Sequence, residues 1–279
     1  MKVFKILNQI LDALLLIFFI LVFLLGLYSM VDSMIVFNHA SDRSLLKYKP
    51  GSEESNAEKL EGNVAWLTID DTSIDYPVMQ GKDNTEYLNK DPYGEFSLSG
   101  SIFLDSNNKN DFSDPYNLVY GHHMEQKKMF GELDSFLDHS FFKKHKKGTL
   151  IVGKKQYDIT IIASLRTTTE DQAIFDVRTT DVSSILKDIQ SKASVNESTG
   201  NETHLIALST CKDTDSNERT VVIGSLGKPH AITIKNSASV KGQSIQINSS
   251  IVPWLILAAA VILIITLLVI RTSRKQEDI

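Results

Sequence analysis

Two long uncharged apolar stretches constrain the fold of this 279-residue chain more than any other feature of its sequence. Residues 13–31 are 19 consecutive residues without a charged side chain, and residues 251–270 are 20. As α-helices they would be about 28 to 30 Å long, which matches the hydrocarbon core of a bilayer. A cleaved signal peptide is the alternative for the first stretch, but its apolar part is longer than usual and no clear cleavage site follows. The sequence therefore predicts two transmembrane helices.

Basic residues flank both apolar stretches on their outer sides. Lys2 and Lys5 precede the first stretch, and three basic residues follow the second: Arg271, Arg274 and Lys275. Because basic residues beside membrane helices stay in the cytoplasm, we expect cytoplasmic termini and an extracellular middle region. Residues 33–250 contain 24 of the 29 Lys and Arg and 30 of the 34 Asp and Glu, a net charge of −6. This charge argues against nucleic acid or an anionic membrane surface as a partner.

The extracellular region contains the only cysteine of the chain, Cys211. A single cysteine cannot form an internal disulfide, so this region needs a hydrophobic core of its own. A thiol in an oxidising compartment is a liability unless it is used. Cys211 is therefore a candidate nucleophile, although a lone cysteine is often no more than a small core residue.

Short β-rich runs separated by turn residues dominate the middle region from Val64 onwards, and they predict a mainly β fold, a barrel or a sandwich. There are eight such runs: residues 64–69, 74–79, 99–104, 117–121, 148–153, 157–165, 204–210 and 219–226. Helical spacing predicts one or two short helices within residues 129–145 and a clearer helix over 182–193, with Asp181 as its N-cap. The polar residues 32–61 are typical of a stalk or of a frayed amphipathic helix.

Cys211 and Arg219 lie on the two strands of a predicted hairpin, LIALSTCKDTDSNERTVVIGSL. The cysteine ends the first strand and the arginine begins the second. Only the thiolate is nucleophilic, and a nearby cation lowers the pKa of a thiol, so this setting favours reactivity.

Two adjacent histidines, His122 and His123, directly follow the β-rich run NLVYG. Strand ends can meet at one rim of a barrel, and a histidine within hydrogen-bond reach of a cysteine can act as general acid and base. The alternative is that both histidines are surface loop residues.

A metal site is not expected from this sequence. It has no CxxC and no HxxxH pattern. Asp213, Asp215 and Asn217 resemble the start of a calcium loop, but Glu218 occupies the sixth position, where that loop needs glycine. No cofactor is expected either.

The motif YGHHM, followed about ninety residues later by LSTC and then by an arginine eight positions on, resembles the sortases, cysteine transpeptidases of Gram-positive cell surfaces. Residues 66–105 and 120–150 resemble the class B branch, and the resemblance covers about residues 64–226. It implies an eight-stranded sortase-type β-barrel with a few short helices, which the two transmembrane helices would flank. The family usually has threonine where this chain has Ala207, and no DPW or DPF lid motif precedes the barrel.

The resemblance also implies roles for individual residues. Cys211 would be the nucleophile, His122 the general acid and base, and Arg219 the residue that holds the substrate carbonyl or oxyanion. His123 would be a neighbour only. Four further residues match positions that line the groove for the sorting signal: Asn84, Leu88, Tyr120 and Ser209.

The implied activity is cleavage of an LPxTG-like sorting signal by a membrane-anchored cysteine transpeptidase, followed by transfer to an amine. The second membrane helix is similar to those of pilin-polymerising sortases, so a pilin lysine is the expected acceptor. A peptidoglycan precursor is the alternative, as are a tethered cysteine protease and a non-catalytic surface scaffold. The expected organisation is a cytoplasmic segment 1–12, a membrane helix 13–31, a linker 32–61, an extracellular catalytic domain 62–230, a linker 231–250, a membrane helix 251–270 and a cytoplasmic tail 271–279.

Overall fold

The structure is a computed structural model that describes residues 2–40, 43–51, 60–124, 127–178, 181–211 and 217–232. It begins with helix α1 (Lys2–Ala40). Among the described residues, the segment Ile6–Val31 of this helix is the one that is long and apolar enough to cross a membrane. The predicted second membrane helix, 251–270, and the basic tail after it lie outside the described residues.

Ten strands follow α1 in the part of the chain that the structure describes. They are β1 (Asn63–Ile69), β2 (Asp75–Met79), β3 (Ile102–Leu104), β4 (Tyr116–Gly121), β5 (Lys147–Val152), β6 (Lys155–Thr168), β7 (Val195–Asn196), β8 (Leu205–Cys211), β9 (Glu218–Leu226) and β10 (His230–Ala231). The described residues also form two 3₁₀ helices, η1 (Arg43–Tyr48) before β1 and η2 (Gly131–Leu137), and three further α-helices, α2 (His139–Lys144), α3 (Gln172–Phe175) and α4 (Val182–Lys192). The eight longer strands coincide with the eight predicted β-rich runs, while β7 and β10, of two residues each, had no recognisable signal.

The eight longer strands close into a mixed barrel. Their order is β6-β5-β1-β2-β3-β4-β8-β9, and the pairing of β6 with β9 closes the ring. The β2–β3 and β4–β8 pairs are parallel, and the other pairs in the ring are antiparallel. Closure leaves these strands without an unpaired edge, which stabilises a small β domain against edge-to-edge association.

Strand β8 is buried on both faces because it lies between the barrel interior and an outer helical layer. Ile206 and Leu208 belong to the interior cluster, whereas Leu205 and Ala207 face a second cluster that includes residues of α4. Burial on both sides explains why this strand is apolar without alternation.

Helix α4 confirms the prediction for residues 182–193. The side chain of Asp181 accepts hydrogen bonds from the backbone amides of Ser183 and Ser184, so Asp181 is the N-cap. The buried residues of the helix recur at helical spacing and pack into the second cluster: Val182, Ile185, Leu186 and Ile189.

Part of the stretch expected to be a stalk packs on the barrel. Leu45 and Leu60 are buried in a third cluster with Trp66 of β1. The Lys49 ammonium lies 2.7 Å from an Asp75 carboxylate oxygen, to which the Trp66 indole N–H also donates at 2.7 Å. Residues on both sides of the segment 52–59, which lies outside the described residues, therefore contact the barrel.

Candidate active site

The register of three neighbouring strands brings the three main candidate residues to one rim of the barrel. Gly121, the last residue of β4, pairs with Thr210 of β8. Cys211 is the next residue of β8 and pairs with Arg219 of β9. His122 directly follows Gly121, so it stands beside position 211 when the parallel register is continued by one residue. Positions 122, 211 and 219 are thus neighbours across adjacent strands, about 5 Å apart at each step.

The imidazole of His122 is half-buried and held by the backbone of the segment between β2 and β3. Its Nε2 lies 2.7 Å from the carbonyl oxygen of Leu88. Because a carbonyl oxygen can only accept, Nε2 must carry the hydrogen of this bond. In the neutral ring the lone pair is then on Nδ1, which is the atom able to take up a proton.

Two buried polar atoms beside Cys211 lack a hydrogen-bond partner among the described residues. One is Nε of Arg219, and the other is Oγ of Ser209, a residue of β8 that is 0% exposed. A buried polar group without a partner costs about 1–3 kcal/mol, so native proteins rarely keep one without a reason. Both atoms are therefore candidates for a functional role at this rim.

Asn84 and Tyr120 share one buried carboxylate, that of Asp105. The Tyr120 hydroxyl donates to Asp105 Oδ2 at 2.9 Å, and the Asn84 amide donates to the same oxygen at 2.8 Å. Burial raises the pKa of Tyr120, and the Asp105 carboxylate raises it further, while Arg219 opposes the shift. Tyr120 therefore stays protonated and keeps donating to Asp105, which fixes its ring.

Asp105 is the residue of this site that the sequence analysis missed. It is 2% exposed and directly follows β3. The available signal was an aspartate at the end of the apolar run SIFL, since a carboxylate at such a strand end is buried only when donors surround it.

All seven predicted site residues belong to one continuous part of the fold. Leu88 contacts His122, and Ser209 pairs with Tyr120 across the β4–β8 ladder. His123, in contrast, has its Nε2 3.3 Å from a carboxylate oxygen of Asp134, on helix η2. Asp213 and Asp215, considered above for calcium, lie outside the described residues. Within the described part of the chain, no group of three or more His, Cys, Asp and Glu side chains is placed to hold a metal.

A sortase domain model matches residues 67–227, which is more than half of the chain. The chain belongs to the sortase family. It is 38% identical over 152 residues to sortase B of Listeria monocytogenes, an alignment that covers 53% of this chain and 62% of the relative. The chain thus spans less than two thirds of that relative.

Solved structures of class B sortases are similar to this fold. One is Spy0129, a Streptococcus pyogenes class B sortase involved in pilus biogenesis, with 41% identity, a TM-score of 0.55, and coverage of 60% of this chain and 92% of that chain. Another is a Staphylococcus aureus sortase B–substrate complex, with 30% identity, a TM-score of 0.57, and coverage of 69% and 93%. This sortase therefore has a class B-like core.

A tight contact at Gly121 positions the start of the His122 loop, which is the segment 122–124 directly after β4. A methyl group on Gly121 would lie 2.4 Å from Ile102 Cδ1 and 2.8 Å from Phe130 Cδ2, both in the barrel interior. We expect Gly121→Ala to cost about 1–3 kcal/mol of the free energy of unfolding through overpacking. Thermal unfolding measures the loss. Gly227→Ala is the control, because its methyl would meet no atom closer than 3.4 Å. Equal unfolding temperatures for the two variants would contradict the contact.

Proposed function

We propose that this sortase is a cysteine transpeptidase that cleaves an LPxTG-like sorting signal and transfers the acyl group to an amine. The observation that carries the proposal is the row of His122, Cys211 and Arg219 on three neighbouring strand ends. A thiol nucleophile, a general acid and base, and a cationic donor are the three groups that acyl transfer through a thioester needs.

The first half-reaction forms the thioester. The Cys211 thiolate attacks the carbonyl carbon of the threonine, and the electron pair moves onto the carbonyl oxygen. When that pair returns, the Thr–Gly C–N bond breaks and the protonated ring of His122 gives its proton to the leaving amine. In the second half-reaction an incoming amine loses a proton to the neutral His122 ring and displaces the Cys211 thiolate.

Arg219 would hold the oxygen on which charge develops. Its buried Nε lacks a partner in the described structure, so a substrate oxygen would supply the missing acceptor. A donor fixed before reaction needs no reorganisation when charge appears, which is why such donors contribute strongly to rate. Ser209, on the neighbouring strand, is 0% exposed, so it would support the groove from beneath.

Asn84, Leu88 and Tyr120 would form the wall of the sorting-signal groove on the His122 side. Asp105 holds Asn84 and Tyr120 together, and Leu88 is 36% exposed beside His122. An apolar side chain next to fixed polar groups is the usual composition of a peptide-binding cleft.

We further propose that the protein is held in the membrane by two helices with both termini in the cytoplasm and the barrel outside. Helix α1 has a suitable length and composition for the first of them. The second rests on the uncharged stretch 251–270 and the basic residues after it.

We propose a pilin lysine as the acceptor. An enzyme anchored at both ends of its domain is kept close to substrates that are also membrane-tethered, and such tethering gives an effective concentration of about millimolar. The similarity to Spy0129, described as involved in pilus biogenesis, points the same way. Peptidoglycan precursors are membrane-tethered too, so the acceptor must be decided by experiment.

Deletion of the gene tests whether the acceptor is a pilin lysine or the cell wall. If the acceptor is a pilin lysine, extracts of surface proteins should lose a high-mass protein ladder, while the monomer stays linked to the wall. Restoring the wild-type gene should restore the ladder, whereas a Cys211→Ala allele should not. An intact ladder, with one surface protein released into the medium, would show that the acceptor is the wall.

A further inference from the structure

The carboxylate of Asp134 contacts the sequence neighbours of two proposed catalytic residues at once. Its Oδ2 lies 3.3 Å from Nε2 of His123, the residue after His122. Its Oδ1 accepts a hydrogen bond from the hydroxyl of Thr220, the residue after Arg219. One side chain on helix η2 therefore joins the loop after β4 to strand β9.

These contacts lie on the barrel side of the rim, opposite the site itself. Successive residues of a strand face opposite sides, so Thr220 faces inward when Arg219 faces outward. Burial supports this inward orientation of Thr220, since Thr220 is 1% exposed and Val222, two residues further along β9, belongs to the interior cluster. The contact between Asp134 and Thr220 is therefore on the interior side of the rim.

The His122 loop has a second fixed point besides Asp134. The amide of Phe130 donates to the His122 carbonyl oxygen at 3.0 Å, and His123 forms an isolated β-bridge with Met129. A methyl group on Gly131 would lie 2.0 Å from the Met124 carbonyl oxygen, so this loop closes tightly on itself. The Asp134 contacts add a link from this segment to β9.

We propose that Asp134 is a positioning residue for transpeptidation: it sets the separation between the His122 imidazole and the Arg219 guanidinium through His123 and Thr220. This role rests on the proposed function of His122 and Arg219. Placement errors of about 1 Å can cost about 100-fold in rate, so a contact behind the site can matter as much as one inside it.

The test compares Asp134→Ala with Asp158→Ala in the full-length protein. Asp158 is the matched control because its carboxylate also lies near a histidine, 3.4 Å from Nε2 of His230, but at a position remote from the rim. We expect Asp134→Ala to lower kcat for transfer from an LPxTG-like peptide by at least 10-fold. KM for the peptide should change less than threefold, and Asp158→Ala should leave both constants within twofold of wild type.

Coupling between the effects of these substitutions on kcat distinguishes a positioning role of Asp134 from a general loss of stability. Thr220→Val and His123→Ala each remove one arm of the contact, and Thr220→Val keeps the side-chain shape. Each should lower kcat alone but add less than twofold in the Asp134→Ala background, because the shared partner is already gone. If a single-arm substitution lowered kcat in the Asp134→Ala background by the same factor as in the wild-type protein, the proposal would be overturned. If Asp134→Ala does not fold, unchanged kcat in both single-arm variants would overturn it too.

A second readout does not depend on activity. In wild type and Asp158→Ala, nuclear magnetic resonance of the histidine rings should show a slowly exchanging Nε2 hydrogen on His122, bound to the Leu88 carbonyl. In Thr220→Val and Asp134→Ala this signal should shift or exchange faster. An unchanged signal would overturn the positioning role of Asp134 and leave the proposed function standing. A wild-type protein that makes no thioester would overturn the proposed function.

Discussion

Cys211→Ala should abolish both cleavage of the sorting-signal peptide and transfer to an amine, while the unfolding temperature stays within a few degrees of wild type. A methyl group cannot attack a carbonyl, so no thioester forms. Cys211→Ser should be nearly as inactive, since a hydroxyl is far harder to deprotonate than a thiol. Chromatography of peptide products and thermal unfolding provide the two measurements.

The wild-type protein treated with a thiol-alkylating reagent is the matched control for Cys211→Ala. Because Cys211 is the only cysteine, alkylation modifies this position alone. It should remove activity to the same extent. Turnover that survives both in Cys211→Ala and after alkylation would show that the nucleophile is another group.

Arg219→Lys should lower kcat/KM by about 100-fold to 1,000-fold, the usual cost of removing an oxyanion donor. Lysine keeps the positive charge but has no equivalent of the buried Nε, which lacks a partner among the described residues. A point charge on a flexible stem cannot reproduce the planar geometry of a guanidinium. Steady-state kinetics with the sorting-signal peptide measure the effect.

Arg178→Lys is the control for this substitution. Arg178 is exposed and pairs with Asp176 at 2.8 Å. An exposed ion pair contributes little, so kinetics and stability should stay near those of wild type. If Arg219→Lys behaved like Arg178→Lys, Arg219 would be an ordinary charge at a strand start.

The strands and the capped helix α4 follow from local sequence signals. β-branched and apolar runs bounded by turn residues give the eight longer strands, and Asp181 before an amphipathic run gives the start of α4. The two-residue strands β7 and β10 could not be predicted, because two residues carry no periodicity.

The closure of the barrel could not be read from local patterns. The parallel pairing of β4 with β8 joins residues 116–121 to residues 205–210. Such a pairing depends on packing across the whole domain and leaves no short-range signal. For the same reason, local patterns only placed Cys211 and His122 at strand ends that can meet at one rim. The family resemblance assigned their catalytic roles.

The residues that the sequence did not reveal act through other residues. Asp105 holds Asn84 and Tyr120 from beneath, and Asp134 contacts the neighbours of His122 and Arg219. Both are ordinary acidic residues in the sequence, and only their contacts distinguish them from solvated carboxylates. Supporting side chains of this kind need the structure, because their chemistry depends on what surrounds them.

The covalent intermediate is the most direct test of the central claim. The purified protein would be mixed with an LPxTG-like peptide, without an added amine, and its intact mass measured. We predict a mass increase equal to the peptide acyl portion ending at threonine, absent in Cys211→Ala, and lost with formation of an amide when a lysine-bearing peptide is added. Absence of the adduct in the wild-type protein would contradict the account, as would release of only the free acid when the amine is present.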